Sequence, residues 1–244
     1  MGRALLILGS LIGSALFTFT AFFIGSFNTT IIDIIDRLPL IFSPIRLTYF
    51  MLVLVFISLS YFTLQTFKSH ITLIQTLLFF INSLLQIVIV YYFVNEMTMY
   101  ALLGLIMQMV GLFVFYITYP ISVEQLKMRL PIAAWYSWTA FFTLITFNYN
   151  MVIYEWHGFN LSDSLWAVIL LTLGTAISLH LRYHYYDRLA PIIFSVGYVG
   201  IIIANGVNEL FVSAAALFLI GVMIVGFFFI KKKTSVIQKS DVSV

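Results

Sequence analysis

Residues 71–94 read ITLIQTLLFFINSLLQIVIVYYFV, a run without a single charged side chain. An apolar segment of about 20 residues is what a helix needs to cross the hydrocarbon of a bilayer. The three amides within it, Gln75, Asn82 and Gln86, stand at i, i+7 and i+11. At about 100° per residue they fall on one narrow stripe. A carboxamide left unpaired in lipid costs on the order of several kcal/mol, so the stripe is expected to face neighbouring helices. This one segment already implies a helix, a membrane and a bundle.

The remainder of the chain agrees. Of 244 residues, 62% are hydrophobic, 18% aromatic and only 9% charged, where a soluble domain carries about 25% charged residues. Further apolar runs occupy 4–25, 45–66, 98–119, 132–154, 165–181, 189–204 and 210–230. The expected fold is therefore an all-α, polytopic transmembrane helix bundle of eight spans. The runs at 165–181 and 189–204 are the shortest, and Pro191, Gly197 and Gly200 punctuate the second of them. Seven spans is the other count that the runs allow.

Positive charge arbitrates, because short cytoplasmic loops collect Lys and Arg. Eight spans with the N-terminus inside place Arg3, Lys68, Lys127, Arg129, Arg182, Arg188, Lys231, Lys232, Lys233 and Lys239 on the cytoplasmic side, leaving Arg37 and Arg46 outside. Seven spans would set the 231–233 cluster opposite Arg3. Both termini are expected in the cytoplasm, in a multi-pass protein of the cell membrane. The first run is long for a cleaved signal and lacks a small-x-small site, so it reads as a retained helix. Residues 231–244 have no periodic apolar face and are expected to be a disordered tail. A net charge of +3 carries no nucleic-acid footprint, and the absence of cysteine excludes disulfides and thiolate metal sites.

Chemistry-bearing residues are sparse. Arg46, His70, His157, His180 and His184 stand at the ends of runs and read as interfacial groups, which speaks against a proton relay. No phosphate-binding loop, zinc-protease or nucleophile-elbow motif is present, so neither catalytic nor metal-ligating residues are expected. The amide stripe has two readings. It can bond helix to helix, with Gln108, Asn148, Asn150, Thr172, Thr175 and Ser178 as partners, or form the polar wall of a cavity. Trp135 and Trp138, about one turn apart after Pro131, share a face with Phe142; they either fill the core or offer a wall on which a flat apolar ligand stacks. Tyr154, Trp156, Tyr183, Tyr185 and Tyr186 sit where aromatic belts form. Gly9 with Gly13, and Gly200 with Ala204, read as small-residue packing faces inside the bundle.

Two stretches carry a family likeness. Residues 36–50, DRLPLIFSPIRLTYF, put Phe-x-Pro (Phe42, Pro44) before an aromatic-rich run that continues to Tyr61 and Gln65. Residues 130–150, LPIAAWYSWTAFFTLITFNYN, open on a proline, carry central tryptophans and close on asparagine. Both resemble the larger TspO/MBR relatives, the translocator proteins or tryptophan-rich sensory proteins, and residues 156–166, WHGFNLSDSLW, are similar to the segment after the fifth helix in longer members. The resemblance implies a five-helix core over 1–155, a three-helix extension over 156–230 and the tail from 231. It also implies an apolar cavity for porphyrins, sterols or similar flat lipophiles, with Trp135, Trp138 and Asn82 as motif matches; Gln86, Gln75, Phe142 and Asn148 complete the ligand-binding candidates. Thr146 stands where the family places an amide. Asn148, two residues on, is turned about 200° around the helix.

The functional reading is thus a membrane protein binding a tetrapyrrole, sterol or isoprenoid-like ligand in a sensing or transport-accessory role, more a binder than an enzyme. A porphyrin-like ligand is the cofactor the resemblance implies. Membrane lipids and the lipophile itself are the expected partners, with a homodimer or a membrane-complex partner left open. The alternative is a non-catalytic structural or regulatory subunit of a larger membrane complex. A third reading, a lipid- or isoprenoid-modifying enzyme, would draw on Asp33, Asp36, Glu155 and His157.

Overall fold

The computed structural model describes residues 2–25, 29–68, 71–120, 126–156 and 158–230. His70, His157 and the tail from 231, on which some expectations fall, lie outside the described residues.

The first helix, α1 (Gly2–Phe19), runs on through a wider π-helical turn, Thr20–Ile24, and stops at Gly25, whose φ of 90° only glycine adopts easily. A short helix comes next, α2 (Ile31–Asp36), whose N-terminus is closed by reciprocal hydrogen bonds between Thr30 and Asp33. Its isoleucines Ile31, Ile32, Ile34 and Ile35 are all buried against the ends of α1 and α4. The long helices are α3 (Met51–Thr66, entered through a 3₁₀ turn, Arg46–Phe50), α4 (Leu73–Val94), α5 (Thr98–Ile117), α6 (Leu126–Ile153), α7 (Asp163–Tyr185), α8 (Leu189–Asn205) and α9 (Leu210–Phe229).

Seven helical segments among the described residues are long and apolar enough to cross a membrane. α8, with 17 residues, spans about 26 Å and falls just short of that length. It nevertheless runs from end to end of the bundle. Asp187, before its first turn, is bonded by Tyr116 at the close of α5, and Asn205, in its last turn, donates to the Ile41 carbonyl ahead of α3.

Packing organises these helices into two groups that share one member. α1, α4, α5, α6 and α3 close a ring in that order, α3 returning to α1, while α7, α8 and α9 pack on one another and the first two of them lean on α6. Composition explains why α6 is central. Ala133, Ala134, Ser137 and Ala140 alternate with Trp135, Trp138, Phe141 and Phe142, and all are buried; the hydroxyls and amides of Thr139, Thr143, Thr146, Asn148 and Asn150, buried as well, are poorly suited to face lipid, and small residues let backbones approach from several sides. Of its most apolar stretch 89% is buried, against 28% for α9.

The small-residue expectations separate. A Cβ on Gly197 would strike the Phe141 ring, and one on Gly200 would strike Pro44 and Thr48, so α8 meets α6 and the entry to α3 at glycines. Gly9 and Gly13 correct the reading. Both are exposed with nothing within 4 Å of an added Cβ, because α1 turns Ile7, Leu11 and Ser14 inward instead. Ala204 is exposed as well.

Candidate functional site

The amide stripe of α4 is buried, and it meets α5. Gln108 Nε2 donates to Gln86 Oε1 at 2.9 Å and to the Asn82 carbonyl at 3.1 Å. Asn82 Nδ2 donates down its own helix to Leu78 at 2.7 Å, and its Oδ1 rests against Gly111. Gln75 serves locally, its Oε1 accepting from the Thr72 N–H in a capping box at the start of α4. The helix-to-helix reading therefore describes Gln86, while the side chains of Asn82 and Gln75 bond within α4. Asn150, a suggested partner of the stripe, pairs elsewhere, accepting from Thr98 Oγ1 at 2.9 Å and tying α6 to the first turn of α5.

Aromatic rings occupy the space between the ring helices. Trp138 lies parallel to Phe142, with centroids 6.3 Å apart and planes at 13°. Tyr49 stands edge-on to both, and Phe22 and Phe93 pack on Phe142. Trp135 points to a second cluster, against Phe79 at 5.6 Å, which in turn packs on Phe62 and Phe115. The two tryptophans thus serve neighbouring clusters and not one wall. Phe79 and Phe93 lie on the amide stripe's own side of α4, so helical spacing from Asn82 and Gln86 pointed to both. Tyr49 comes shortly after the Phe-x-Pro signal and is fully buried.

Asn148 belongs to neither cluster. It lines a cleft of about 160 Å³ at the end of α6 with Met151, Glu155, Trp156, Asp163 and Trp166. The turn between α6 and α7 is held in an uncommon backbone, with left-handed φ at Glu155, Phe159 and Asn160. Trp166 Nε1 donates to the Gly158 carbonyl at 3.1 Å. Thr146 bonds back to Phe142.

Among the described residues, the bases at the same end of the bundle pair with acids. Arg46 pairs with Asp33 at 3.0 Å and Asp36 at 2.6 Å, and Arg37 pairs with Glu96 at 2.6 Å. The bonds from the Thr30 hydroxyl and N–H, with Arg46 alongside, hold the Asp33 carboxyl below its ordinary range. No group of three or more His, Cys, Asp or Glu able to hold a metal ion occurs among the described residues. At the opposite end lies a buried polar cluster that charge counting treated only as orientation markers. The Arg129 guanidinium sits 4.2 Å over the Tyr116 ring, Tyr116 donates to Asp187 Oδ2 at 3.2 Å, and Arg182 donates to the carbonyls of Phe227 and Ile230. Arg129, Arg182 and Asp187 are each buried.

Five helices thus close a ring around aromatic side chains, with α3 entered shortly after Phe42-Ser43-Pro44. The family model described as TSPO-like protein matches residues 4–229. The chain belongs to the TSPO-like family. No curated protein and no solved structure matches the chain. Membership of the TSPO-like family, with its match running through α9, takes in the last three helices as well as the ring, and with the apolar bundle it makes the chain an integral membrane protein.

Proposed function

We propose that this TSPO-like protein is a membrane-embedded binder of a flat lipophile of the tetrapyrrole, sterol or isoprenoid type, with a sensing or transport-accessory role. The observation that supports it best is the stack of Trp138 on Phe142 with Tyr49 edge-on. Planar hydrocarbons insert against such faces with little loss of side-chain freedom. In this reading residues 1–155 form the receiving core, 156–230 its support, and Trp138 and Phe142 touch the ligand, while Trp135 packs on Phe79 in the neighbouring cluster. Gln86 and the Asn82 carbonyl, through Gln108, hold α4 to α5 beside it, and Gln75 caps α4. The protein resides in the cell membrane with both termini in the cytoplasm, as its basic residues favour.

The test is a titration of the full chain in lipid nanodiscs with protoporphyrin IX and, separately, cholesterol, monitored by tryptophan emission. Saturable quenching is expected, weakened about tenfold in Trp138→Leu through lost stacking, while Trp156→Leu leaves it unchanged. Quenching that is linear in ligand, or indifferent to position 138, overturns the proposal. A stoichiometric protein partner retained in mild detergent, without bound lipophile, would favour the subunit reading instead.

A further inference from the structure

The cleft at the junction of α6 and α7 has a chemistry that a flat lipophile does not use. Its two carboxylates, Glu155 and Asp163, have no cationic partner among the described residues. Both arginines of this end are engaged elsewhere, Arg37 by Glu96 and Arg46 by Asp33 and Asp36. Behind the acids lies Asn148, 4% exposed, whose Oδ1 finds no hydrogen-bond partner among the described residues. A buried acceptor in that state is costly to keep, and here it lines the cleft. The side walls are Trp156 and Trp166, with ring centroids 5.4 Å apart and planes at 43°. Trp166 cannot turn its N–H into the cleft because Gly158 holds it.

Every one of these groups prefers positive charge. Carboxylates attract it, an amide oxygen accepts from it, and indole faces bind it through their quadrupole. Two carboxylates and one amide are few ligands for a hard metal ion, which collects six or more oxygens, and indole walls offer such an ion nothing. A polarised organic cation uses all of them at once. We propose that this cleft binds a small organic ammonium group, its charge set against Glu155 and Asp163, its N–H or N–CH₃ surface on Trp156 and Trp166, and Asn148 Oδ1 as the innermost acceptor. The cleft volume of about 160 Å³ suits a headgroup-sized amine and excludes a tetrapyrrole. Such a group arrives either free in water or on a phospholipid, and the two sources share this chemistry.

The full chain in dodecyl maltoside, a detergent with neither charge nor ammonium group, is titrated with choline by calorimetry. Saturable binding is expected, and its uncharged carbon isostere 3,3-dimethylbutan-1-ol is expected not to bind. Glu155→Gln with Asp163→Asn together lower choline affinity more than about tenfold, and Trp156→Leu lowers it about tenfold. Glu209→Gln, which removes a charge from the same end outside the cleft, changes it less than about twofold at physiological salt. Asn148→Leu weakens the binding of ethanolamine, whose N–H groups the Oδ1 can accept, yet raises the thermal stability of the free protein, a pair of effects that a merely structural amide would not give. Competition by phosphatidylcholine added to the micelles assigns the group to a lipid headgroup, and its absence to a free amine. Equal binding of choline and its isostere, an unchanged affinity in the double charge variant, or heat exchanged with calcium chloride but not with choline would each overturn the proposal. Because Trp138 lies outside this cleft, Trp138→Leu leaves choline binding intact whichever way the lipophile titration falls.

Discussion

Single side chains in this bundle are decided by what surrounds each helix. Gln108 joins α5 to α4 through Gln86 and the Asn82 carbonyl, so Gln108→Leu strands Gln86 in an apolar interior. A loss of about 1 kcal/mol is expected in the detergent unfolding midpoint, and Gln86→Leu on top of it restores most of the loss; a silent single variant would mean that the two amides do not meet. Asp187 gives a pH signature. Burial pushes its carboxyl above the ordinary value of 3.8, against the bonds from Leu189 and Tyr116 and the nearby Arg129. A carboxyl raised in the folded state penalises folding once it ionises, so wild-type stability carries this penalty at neutral pH and sheds it on acidification. The Tm of Asp187→Asn minus that of wild type is therefore expected to be more favourable to the variant at pH 7 than at pH 4. The stripe of α4 was legible because one helix's own geometry fixes it. Trp135 and Trp138 were not, since three residues turn them about 60° apart, and on a helix enclosed on all sides that suffices to give each a different neighbour. The surroundings of Asn148 come from the turn after α6, where no periodicity operates.

At the level of elements, glycine placement sets how closely α8 seats. Gly197→Ala forces a Cβ into the Phe141 ring and is expected to cost roughly 1–3 kcal/mol. Gly221→Ala in α9, where nothing lies within 4 Å, is expected to be neutral or slightly stabilising; equal losses at the two sites would refute the seating. Apolar run length located the eight long helices because lipid demands uninterrupted apolar runs, missing only the first turns of α6, where Lys127 and Arg129 precede the apolar stretch. It left α2 unread, since six residues cannot hold a helix without tertiary support and its all-isoleucine burial depends on α1 and α4. Thr30→Ala removes the reciprocal cap and is expected to speed hydrogen exchange at residues 31–36 while sparing α4; unchanged exchange there would mean that packing alone holds the turn.

For the molecule as a whole, the decisive property is that α8 runs the full depth. In a chain without native cysteine, Arg188→Cys and Val207→Cys are expected to react with an impermeant maleimide from opposite faces of sealed vesicles. Labelling from one face would make α8 re-entrant and split the termini between compartments. The central placement of α6 carries a further consequence. One flank of this helix closes the ring, and the other is sheathed by α7 and α8, which arrive later in the same polypeptide. A second copy therefore cannot use that flank to dimerise: the chain supplies its own neighbour there, at fixed one-to-one stoichiometry, and any twist imposed on α6 from within the ring is handed directly to the helices behind it.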